Sequence, residues 1–371
     1  MTDLSQTLAI LDDLVAIPSV PGEQNQTWLS YVRSRLEAAG CRVSVVPSPR
    51  GDCEGLVASI GPDLPGGLVL SGHVDVVSVE GQQWTSDPFR LRRAGNSVVG
   101  RGSADMKGFV ACAIATMEHA ASQTLARPLH IALSADEETT CQSAVSLAAF
   151  IAEGLPSPRG VLVGEPTCLR PVNRHRASFT YEVEVTGRSA HASMPELGFS
   201  ATGLAAHLMA WIDNRSARVF SPDVTTHSIG TVSGGTANNI IAGQCRFEWD
   251  IRLSPNEDLA ELTEAFRREA GRRLGLVQDR VPEAQVTLTE TARFPGFNMN
   301  ADSPFAHECV AASDAASPMA MAAATEAGIF EDAGLPVIVM GPGNMEQAHT
   351  PDESIELDQL TGCLAQLQQL R

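Results

Sequence analysis

The chain has 371 residues, of which 43% are hydrophobic and 19% charged, and its formal net charge is −18. This is the composition of a folded protein of about two domains, which excludes a disordered or collagen-like chain. The excess of acidic groups repels phosphates, so we expect no binding to nucleic acid.

The cellular location is predicted from what the chain lacks. Its first residues have neither the basic nor the apolar region of a signal peptide, and no apolar run reaches the ~18 residues of a membrane span. The eight cysteines are scattered without a C-x-x-C pair, which is typical of reduced thiols rather than of a disulfide framework or a zinc knuckle. We therefore expect a cytoplasmic protein without a membrane partner.

Hydrophobic periodicity predicts alternating helices and strands over the first 174 residues. Helices are predicted at 4–15, 26–39, 106–121 and 143–153, and strands at 41–46, 56–60, 67–77, 129–134 and 160–163. This alternation is typical of an α/β fold with a mixed, largely parallel sheet that helices cover on both faces.

The pattern changes after residue 174. Strands at 178–185, 228–232, 244–253 and 284–289, with helices at 199–213 and 256–274, follow the β-α-β-β-α-β order of a ferredoxin-like module. A strand at 335–340 and a helix from 357 then return to α/β character. We therefore expect one α/β domain formed by residues 1–174 and 290–371, with the module inserted as residues 175–289.

Carboxylates and imidazoles follow several predicted strands where each strand ends. They are His73, Asp75, Asp105, Glu137, Glu138, Glu165 and His349. The carboxyl ends of the strands line the ligand crevice of an open α/β sheet, so we expect these side chains to converge. Ligands of this kind without thiolate suit zinc, cobalt or manganese better than copper or calcium. There are more of these ligands than one tetrahedral ion can bind, whereas two ions that share a carboxylate would use them.

Each of these features also has an ordinary explanation. An H-x-D triplet ends many strands, a Glu-Glu pair begins many helices, and Asp105 could be a helix N-cap. Their occurrence together and in order favours the metal site. The chain has no G-x-S-x-G elbow and no P-loop, and Asp105 stands where the third glycine of a dinucleotide-binding motif that begins Gly100-x-Gly102 would be. The motifs of a serine hydrolase and of a nucleotide-binding fold are therefore absent.

Five segments together resemble the dinuclear zinc aminoacylase and carboxypeptidase family over essentially the whole chain. They are Ser71-Gly-His-Val-Asp-Val-Val, Gly100-Arg-Gly-Ser-Ala-Asp-Met-Lys-Gly, Ser134-Ala-Asp-Glu-Glu, Val163-Gly-Glu-Pro-Thr and Gln347-Ala-His-Thr-Pro-Asp-Glu. The resemblance implies an amide hydrolase whose catalytic domain carries an inserted lid that commonly mediates a homodimer.

The family pattern also implies a role for each residue of the metal centre. It assigns His73 and Glu165 to a first zinc ion, Glu138 and His349 to a second, and Asp105 to both, with cobalt as a substitute metal. Asp75 would fix the tautomer of His73, and Glu137 would be the general base for the water between the ions. A cis peptide bond after Asp105 is implied as well.

Resemblance further implies residues that contact the substrate. His191 matches a lid histidine that enters the partner's site and stabilises the oxyanion. Asn238 and Asn239 would donate hydrogen bonds, and the guanidinium of Arg252 would bind the substrate α-carboxylate. Glu326 would face a substrate ammonium. A turn histidine and a structural arginine are the ordinary alternatives for His191 and Arg252.

The Thr325-Glu-Ala stretch bears on the substrate. Together with Gly341-Pro-Gly, it is similar to the branch of the family that hydrolyses N-acetylornithine to ornithine and acetate. N-acetylcitrulline, other N-acyl amino acids, succinyl-diaminopimelate, C-terminal glutamate and dipeptides stay open as substrates. A non-catalytic binding relative is a further alternative, and the presence of Glu137 favours a catalyst over it.

Overall fold

The structure is a computed structural model that describes residues 3–21, 26–49, 51, 53–218 and 221–371. The α-helices in these residues are α1 (Leu4–Val15), α2 (Gln26–Ala38), α3 (Lys107–Ala121), α4 (Gln142–Gly154), α5 (Ala201–Asp213), α6 (Leu259–Gly275), α7 (Pro304–Ala311), α8 (Ala327–Asp332) and α9 (Leu357–Leu370). Short polar side chains cap several of them, as where Ser200 accepts a 3.0 Å hydrogen bond from the N–H of Gly203 at the start of α5. Among the described residues, no helix is both long and apolar enough to cross a membrane.

The β-strands of the described residues contain from two to ten residues each. They are β1 (Arg42–Pro47), β2 (Glu54–Ile60), β3 (Leu68–His73), β4 (Arg92–Ala94), β5 (Ser97–Val99), β6 (Leu129–Ser134), β7 (Gly160–Pro166), β8 (Val172–His175), β9 (Ala177–Thr186), β10 (Ala190–His191), β11 (Thr226–Gly234), β12 (Ile240–Ile241), β13 (Gln244–Leu253), β14 (Gln285–Phe294), β15 (Phe297–Asn298), β16 (Met319–Met321), β17 (Val337–Gly341) and β18 (Ser354–Glu356). Each strand predicted from periodicity is present. The largest differences are that β3 ends at His73 and that β14 continues to Phe294.

Contacts divide the chain into two compact units. Unit 1 consists of Met1–Arg174, Phe297–Ala320 and Thr325–Arg371, and unit 2 consists of His175–Gly296 and Met321–Ala324. Unit 2 is therefore formed mainly by one internal segment of the chain, to which Met321–Ala324 adds four residues, and unit 1 by the remaining segments.

The main sheet of unit 1 has the order β1-β2-β6-β3-β7-β17-β8-β15, with β16 paired to β8. The four central strands β6, β3, β7 and β17 are parallel to one another, while β1, β2 and β8 pair antiparallel. Every residue of β3, β6 and β7 is buried, which requires cover on both faces of the sheet. The predicted α/β fold with a mixed, largely parallel sheet is confirmed.

Unit 2 contains a four-stranded antiparallel sheet in the order β11-β13-β9-β14. Apart from the two-residue strands β10 and β12, its elements follow the chain order β9-α5-β11-β13-α6-β14, which is β-α-β-β-α-β. Burial alternates along β13 because one face covers a core and the other does not. Trp249 and Phe266, whose ring centroids are 5.1 Å apart, join this sheet to α6.

The sole lysine of the chain, Lys107, has a structural role in unit 1. Its Nζ donates hydrogen bonds to the carbonyl oxygens of Leu14 and Ile17 at 3.0 and 2.8 Å. These carbonyls lie at the C-terminal end of α1, where a cation is favourable. Burial lowers the pKa of Lys107 to about 7. These hydrogen bonds connect the start of α3 to the end of α1.

Candidate metal centre

Four adjacent parallel strands bring candidate residues to one edge of the unit 1 sheet. β3 ends at His73, β6 ends shortly before Glu137, β7 contains Glu165, and β17 precedes the loop that carries His349. Because these strands run in the same direction, their carboxyl ends lie on the same side. Asp105 reaches the same edge from the turn before α3. Residues that are distant in the chain therefore share one crevice.

Asp105 lies between two imidazoles. Its Oδ1 is 3.1 Å from Nε2 of His73, and its Oδ2 is 3.5 Å from Nε2 of His349. The peptide bond between Asp105 and Met106 is cis, as the family resemblance implies. With one carboxylate oxygen toward each imidazole, Asp105 has the placement of a ligand that two ions could share.

The candidate ligand atoms form two groups that have Asp105 in common. His73, Asp105 and Glu165 form the first group, and Asp105, Glu138 and His349 form the second, with ligand atoms within 4.8 Å of one another in each group. Oε2 of Glu138 is 3.0 Å from Nε2 of His349. Oε1 of Glu165 is buried and has no hydrogen-bond partner among the described residues. A bound cation would satisfy that oxygen, so the residues fit a metal.

The crowding of carboxylates shifts the proton affinities of the cluster. Burial, followed by the charge of Asp105, raises the pKa of Glu165 well above its ordinary value. Hydrogen bonds to Asp105 and Glu138 raise the pKa of His349 to about 10. Although burial opposes ionisation of Asp105, hydrogen bonds with His349 and His73 hold its pKa below the ordinary value. The cluster therefore favours positive charge at its centre, which a divalent cation would supply.

The tautomer of His73 is set by the main chain of Asp75. Nδ1 of His73 lies 3.0 Å from the carbonyl oxygen of Asp75, so Nδ1 carries the proton and Nε2 keeps its lone pair for a metal. The carboxylate Oδ1 of Asp75 is farther from Nδ1, at 3.6 Å. The carbonyl oxygen of Asp75 therefore lies closer to the ring nitrogen than its carboxylate does.

The carboxylate of Asp75 instead accepts hydrogen bonds from the backbone of the two adjacent glutamates. Its oxygens accept hydrogen bonds from the N–H groups of Glu137 and Glu138 at 3.2 and 3.0 Å. Burial raises the pKa of Asp75 to about 6. Through one carbonyl and one carboxylate, Asp75 connects the orientation of His73 to the backbone of Glu137 and Glu138.

Glu137 is buried beside the ligand groups, with 8% of its surface exposed. Burial raises the pKa of Glu137 well above its ordinary value, and the charges of Glu165 and Glu138 raise it further against the attraction of His73. A carboxyl group with a raised pKa can accept and hold a proton near neutrality. Glu137 therefore differs from a solvated surface glutamate, and its role as general base stays a prediction.

Asp136, which the sequence reasoning did not single out, shapes the turn that carries the two glutamates. Its carboxylate accepts hydrogen bonds from the N–H groups of Gln142 and Ser143 at 2.7 and 2.9 Å, at the start of α4. Its carbonyl oxygen accepts from the N–H groups of Thr140 and Cys141 at 2.9 and 2.8 Å. Because Asp136 lies six residues before Gln142 and is not the N-cap of α4, the N-cap pattern does not indicate this role.

His191 lies at the end of β10 in unit 2 and is exposed. Its Nδ1 accepts a hydrogen bond from the N–H of Ser193 at 3.3 Å and lies 2.8 Å from the Ser193 hydroxyl. Because Nδ1 is the acceptor, a neutral His191 carries its proton on Nε2. The exposed ring therefore has a donor available for a ligand.

The other predicted substrate contacts of unit 2 are on its surface. Asn238 and Asn239 are exposed in the segment before β12. Arg252 lies on β13, and its Nε is 3.0 Å from Oδ1 of Asp250. Their contacts with a substrate stay predictions.

Glu326 lies deeper than its predicted role requires. Its side chain is completely buried, and its two oxygens accept hydrogen bonds from the hydroxyls of Ser71 and Ser134 at 2.6 and 2.7 Å. This placement differs from the predicted contact with a substrate ammonium, because both oxygens are bonded and no surface is exposed. Glu326 instead joins β3 to β6 close to the strand ends that carry His73 and Glu137.

Comparisons with known proteins agree with this fold. Residues 69–370 match the model of peptidase family M20/M25/M40. An acetylornithine deacetylase from Myxococcus xanthus is 34% identical over 378 residues, which cover 97% of this chain and 95% of that protein. A tripeptidase from Staphylococcus aureus has a TM-score of 0.81 at 19% identity, covering 100% of this chain and 98% of its own. A dinuclear metal-binding peptidase from Bacillus subtilis has a TM-score of 0.70 at 16% identity, and the match covers 99% of this chain and 97% of that protein.

The fold, the clustered ligand atoms and these similarities define a metal-dependent hydrolase. The chain belongs to peptidase family M20/M25/M40.

Proposed function

We propose that this hydrolase cleaves the amide bond of N-acyl amino acids and that its substrate is N-acetylornithine. The observation that carries the reaction class is the pair of ligand groups that share Asp105, with the buried Glu137 beside them. The choice of substrate is supported by the name and the 34% identity of the Myxococcus xanthus relative. The Thr325-Glu-Ala stretch supports the same choice.

The proposed cofactor is a pair of zinc ions in each subunit. His73 and Glu165 would hold one ion, Glu138 and His349 the other, and Asp105 both, which uses each ligand in the two groups. Nitrogen and oxygen ligands also suit cobalt, which would substitute for zinc. When bound, the ions would acidify a water molecule and polarise the scissile carbonyl group.

In this proposal Glu137 moves the proton. Its carboxylate removes a proton from the attacking water, and the resulting carboxylic acid donates that proton to the nitrogen of the leaving amine as the C–N bond breaks. The acyl group leaves as acetate and the amine as ornithine. The raised pKa of Glu137 suits a group that must hold the proton between the two steps.

A substrate panel tests the proposed function. We expect the zinc-loaded enzyme to hydrolyse N-acetylornithine with a kcat/KM about tenfold or more above that for N-acetylcitrulline, N-succinyl-diaminopimelate or a dipeptide. The Glu137→Ala variant, purified in the same way, measures hydrolysis by contaminating enzymes. Preference for the dipeptide or the succinyl substrate would contradict the proposed substrate but not the reaction class. Hydrolysis of none of them would contradict both.

We further propose that two copies of the chain form a homodimer through unit 2. β11 lies at one end of the strand order of the unit 2 sheet, and on it Val232 is 59% exposed. An end strand with an exposed apolar side chain can pair with a second copy. In such a dimer, His191 would donate from Nε2 to the developing oxyanion in the partner's site.

His191→Ala is expected to lower kcat by about 10²–10³-fold, since that is the effect of removing one oxyanion donor. The matched control is His307→Ala, because His307 is also an exposed histidine but lies on α7 of unit 1. Steady-state kinetics of both variants on N-acetylornithine make the measurement. Equal activity of the two variants would exclude an oxyanion role for His191.

Mixed dimers test whether His191 acts across the interface. Combining His191→Ala subunits with Glu137→Ala subunits creates heterodimers in which one site has its own Glu137 and the partner's His191. We expect each heterodimer to regain up to about half of the wild-type activity. A fully active monomer, or heterodimers without any rescue, would contradict the cross-subunit role.

A further inference from the structure

We propose that Glu353 is a positioning residue that ties the loop of Asp105 to the loop of His349 and so sets the ligand spacing for the second ion. The inference rests on the proposed function for the identity of that ion. It concerns a residue that contacts neither the ligand atoms nor the substrate in the proposed mechanism.

The Glu353 carboxylate accepts hydrogen bonds from several backbone N–H groups of the Asp105 loop. Glu353 is completely buried. Its Oε1 accepts hydrogen bonds from the N–H groups of Ala104 and Asp105 at 2.8 and 3.0 Å, and its Oε2 accepts one from Gly102 at 2.9 Å. Gly102 has a φ of +82°, a left-handed conformation that glycine adopts without strain and that turns its N–H toward the same carboxylate.

The charge of Glu353 is paired within the same cluster. Nη1 of Arg101 is 2.8 Å from Oε2 of Glu353, and both side chains are buried. The guanidinium of Arg101 also lies over the ring of Trp84, 5.0 Å from its centroid. Because a buried carboxylate needs bonded partners on both oxygens, this arrangement holds Glu353 in one position.

A second path leads from Glu353 to His349. Nη2 of Arg101 donates to Oε1 of Gln82 at 2.5 Å, and Nε2 of Gln82 donates to the carbonyl oxygen of His349 at 3.0 Å. His349 has a φ of +61°, which a non-glycine residue keeps only when its surroundings hold it. Glu353, four residues after His349, therefore constrains this loop both along the chain and through Arg101 and Gln82.

These contacts explain why a change at Glu353 would weaken the binding of the second ion more than that of the first. Glu353 fixes the backbone N–H of Asp105, and the path through Gln82 holds the backbone of His349, so two of the three second-group ligands depend on it. Of the first group, only Asp105 has such a contact. Groups that orient ligands in this way typically affect metal affinity by 10–100-fold.

The test substitutes Glu353→Gln, which keeps the shape of the side chain but replaces one acceptor oxygen by an NH₂ group. Metal-free protein is titrated with zinc against a chromophoric chelator, and bound zinc is counted by mass spectrometry. We expect the weaker of the two zinc affinities to fall by about 10–100-fold, with a much smaller change in the tighter one. We also expect kcat to fall with little change in KM. The matched control is Glu356→Gln, an exposed glutamate three residues away, for which we expect wild-type titrations.

A second variant keeps the inference falsifiable if Glu353→Gln does not fold. Gln82→Leu removes the hydrogen bonds of Gln82 with Arg101, His349 and Trp84 but leaves those between Glu353 and the Asp105 loop. We expect it to weaken the same ion by a smaller factor. Wild-type affinities in a folded Glu353→Gln protein, or equal losses of both ions, would overturn the inference. So would an unchanged Gln82→Leu titration where Glu353→Gln cannot be obtained. A wild-type protein that binds two ions but hydrolyses no panel substrate would instead contradict the proposed function alone.

Discussion

Chelation of the bound metal is expected to abolish turnover of N-acetylornithine, and added zinc or cobalt is expected to restore it. The reason is that the crevice offers carboxylates and imidazoles but needs an activated water as nucleophile. Bulk water has a pKa of about 15.7, whereas water on a catalytic zinc ion has one near 7. Activity is measured after exhaustive dialysis against a chelator and again after titration with each metal.

Two controls separate loss of metal from loss of structure. Circular dichroism of the metal-free protein checks that the α/β fold persists. Zinc is also expected to raise the thermal unfolding temperature, because an ion at about 100 times its Kd stabilises the folded state by about 2.7 kcal/mol. Full activity in a preparation shown to be free of metal would contradict the metal-dependent mechanism.

Glu137→Ala is expected to lower kcat by roughly 10²–10⁴-fold while both metal ions stay bound. That loss corresponds to about 3–5 kcal/mol of transition-state stabilisation, since each tenfold change is about 1.4 kcal/mol. The reason is that Glu137 contributes to neither candidate ligand group but is buried beside both. Steady-state kinetics and metal counting on the same sample make the measurement.

Glu138→Ala is the matched control, since it removes the adjacent carboxylate of the same turn. Oε2 of Glu138 lies 3.0 Å from Nε2 of His349, within the second ligand group. We therefore expect Glu138→Ala to weaken one ion, whereas Glu137→Ala weakens neither. If Glu137→Ala lost metal and kept its turnover per bound ion, the roles of the two adjacent glutamates would be reversed.

Local sequence patterns predicted the order and type of the main elements. The apolar runs of β3, β6 and β7 are continuous because these strands are buried on both faces, and such runs are visible without the fold. The alternating residues of β9 and β13 likewise indicate strands with one buried face. Periodicity does not predict the short helices α7 and α8 or the short strands β4, β5, β8, β10, β12, β15, β16 and β18, because a few residues carry too little of it.

The sequence by itself also determined which residues could be metal ligands and showed that they follow predicted strands. Both can be read locally, because they depend on residue type and on where a strand ends. Only the tertiary structure decided how those residues meet. The bond from Asp105 N–H to Glu353 spans 248 positions of the chain, and the bond from Ser71 to Glu326 spans 255. Both carboxylates lie in segments that the family resemblance singled out, but the hydrophobic pattern around them does not predict that they are buried. Their burial and partners arise only when the strands and loops pack, since hydrogen bonds between distant segments follow from the fold and not from periodicity.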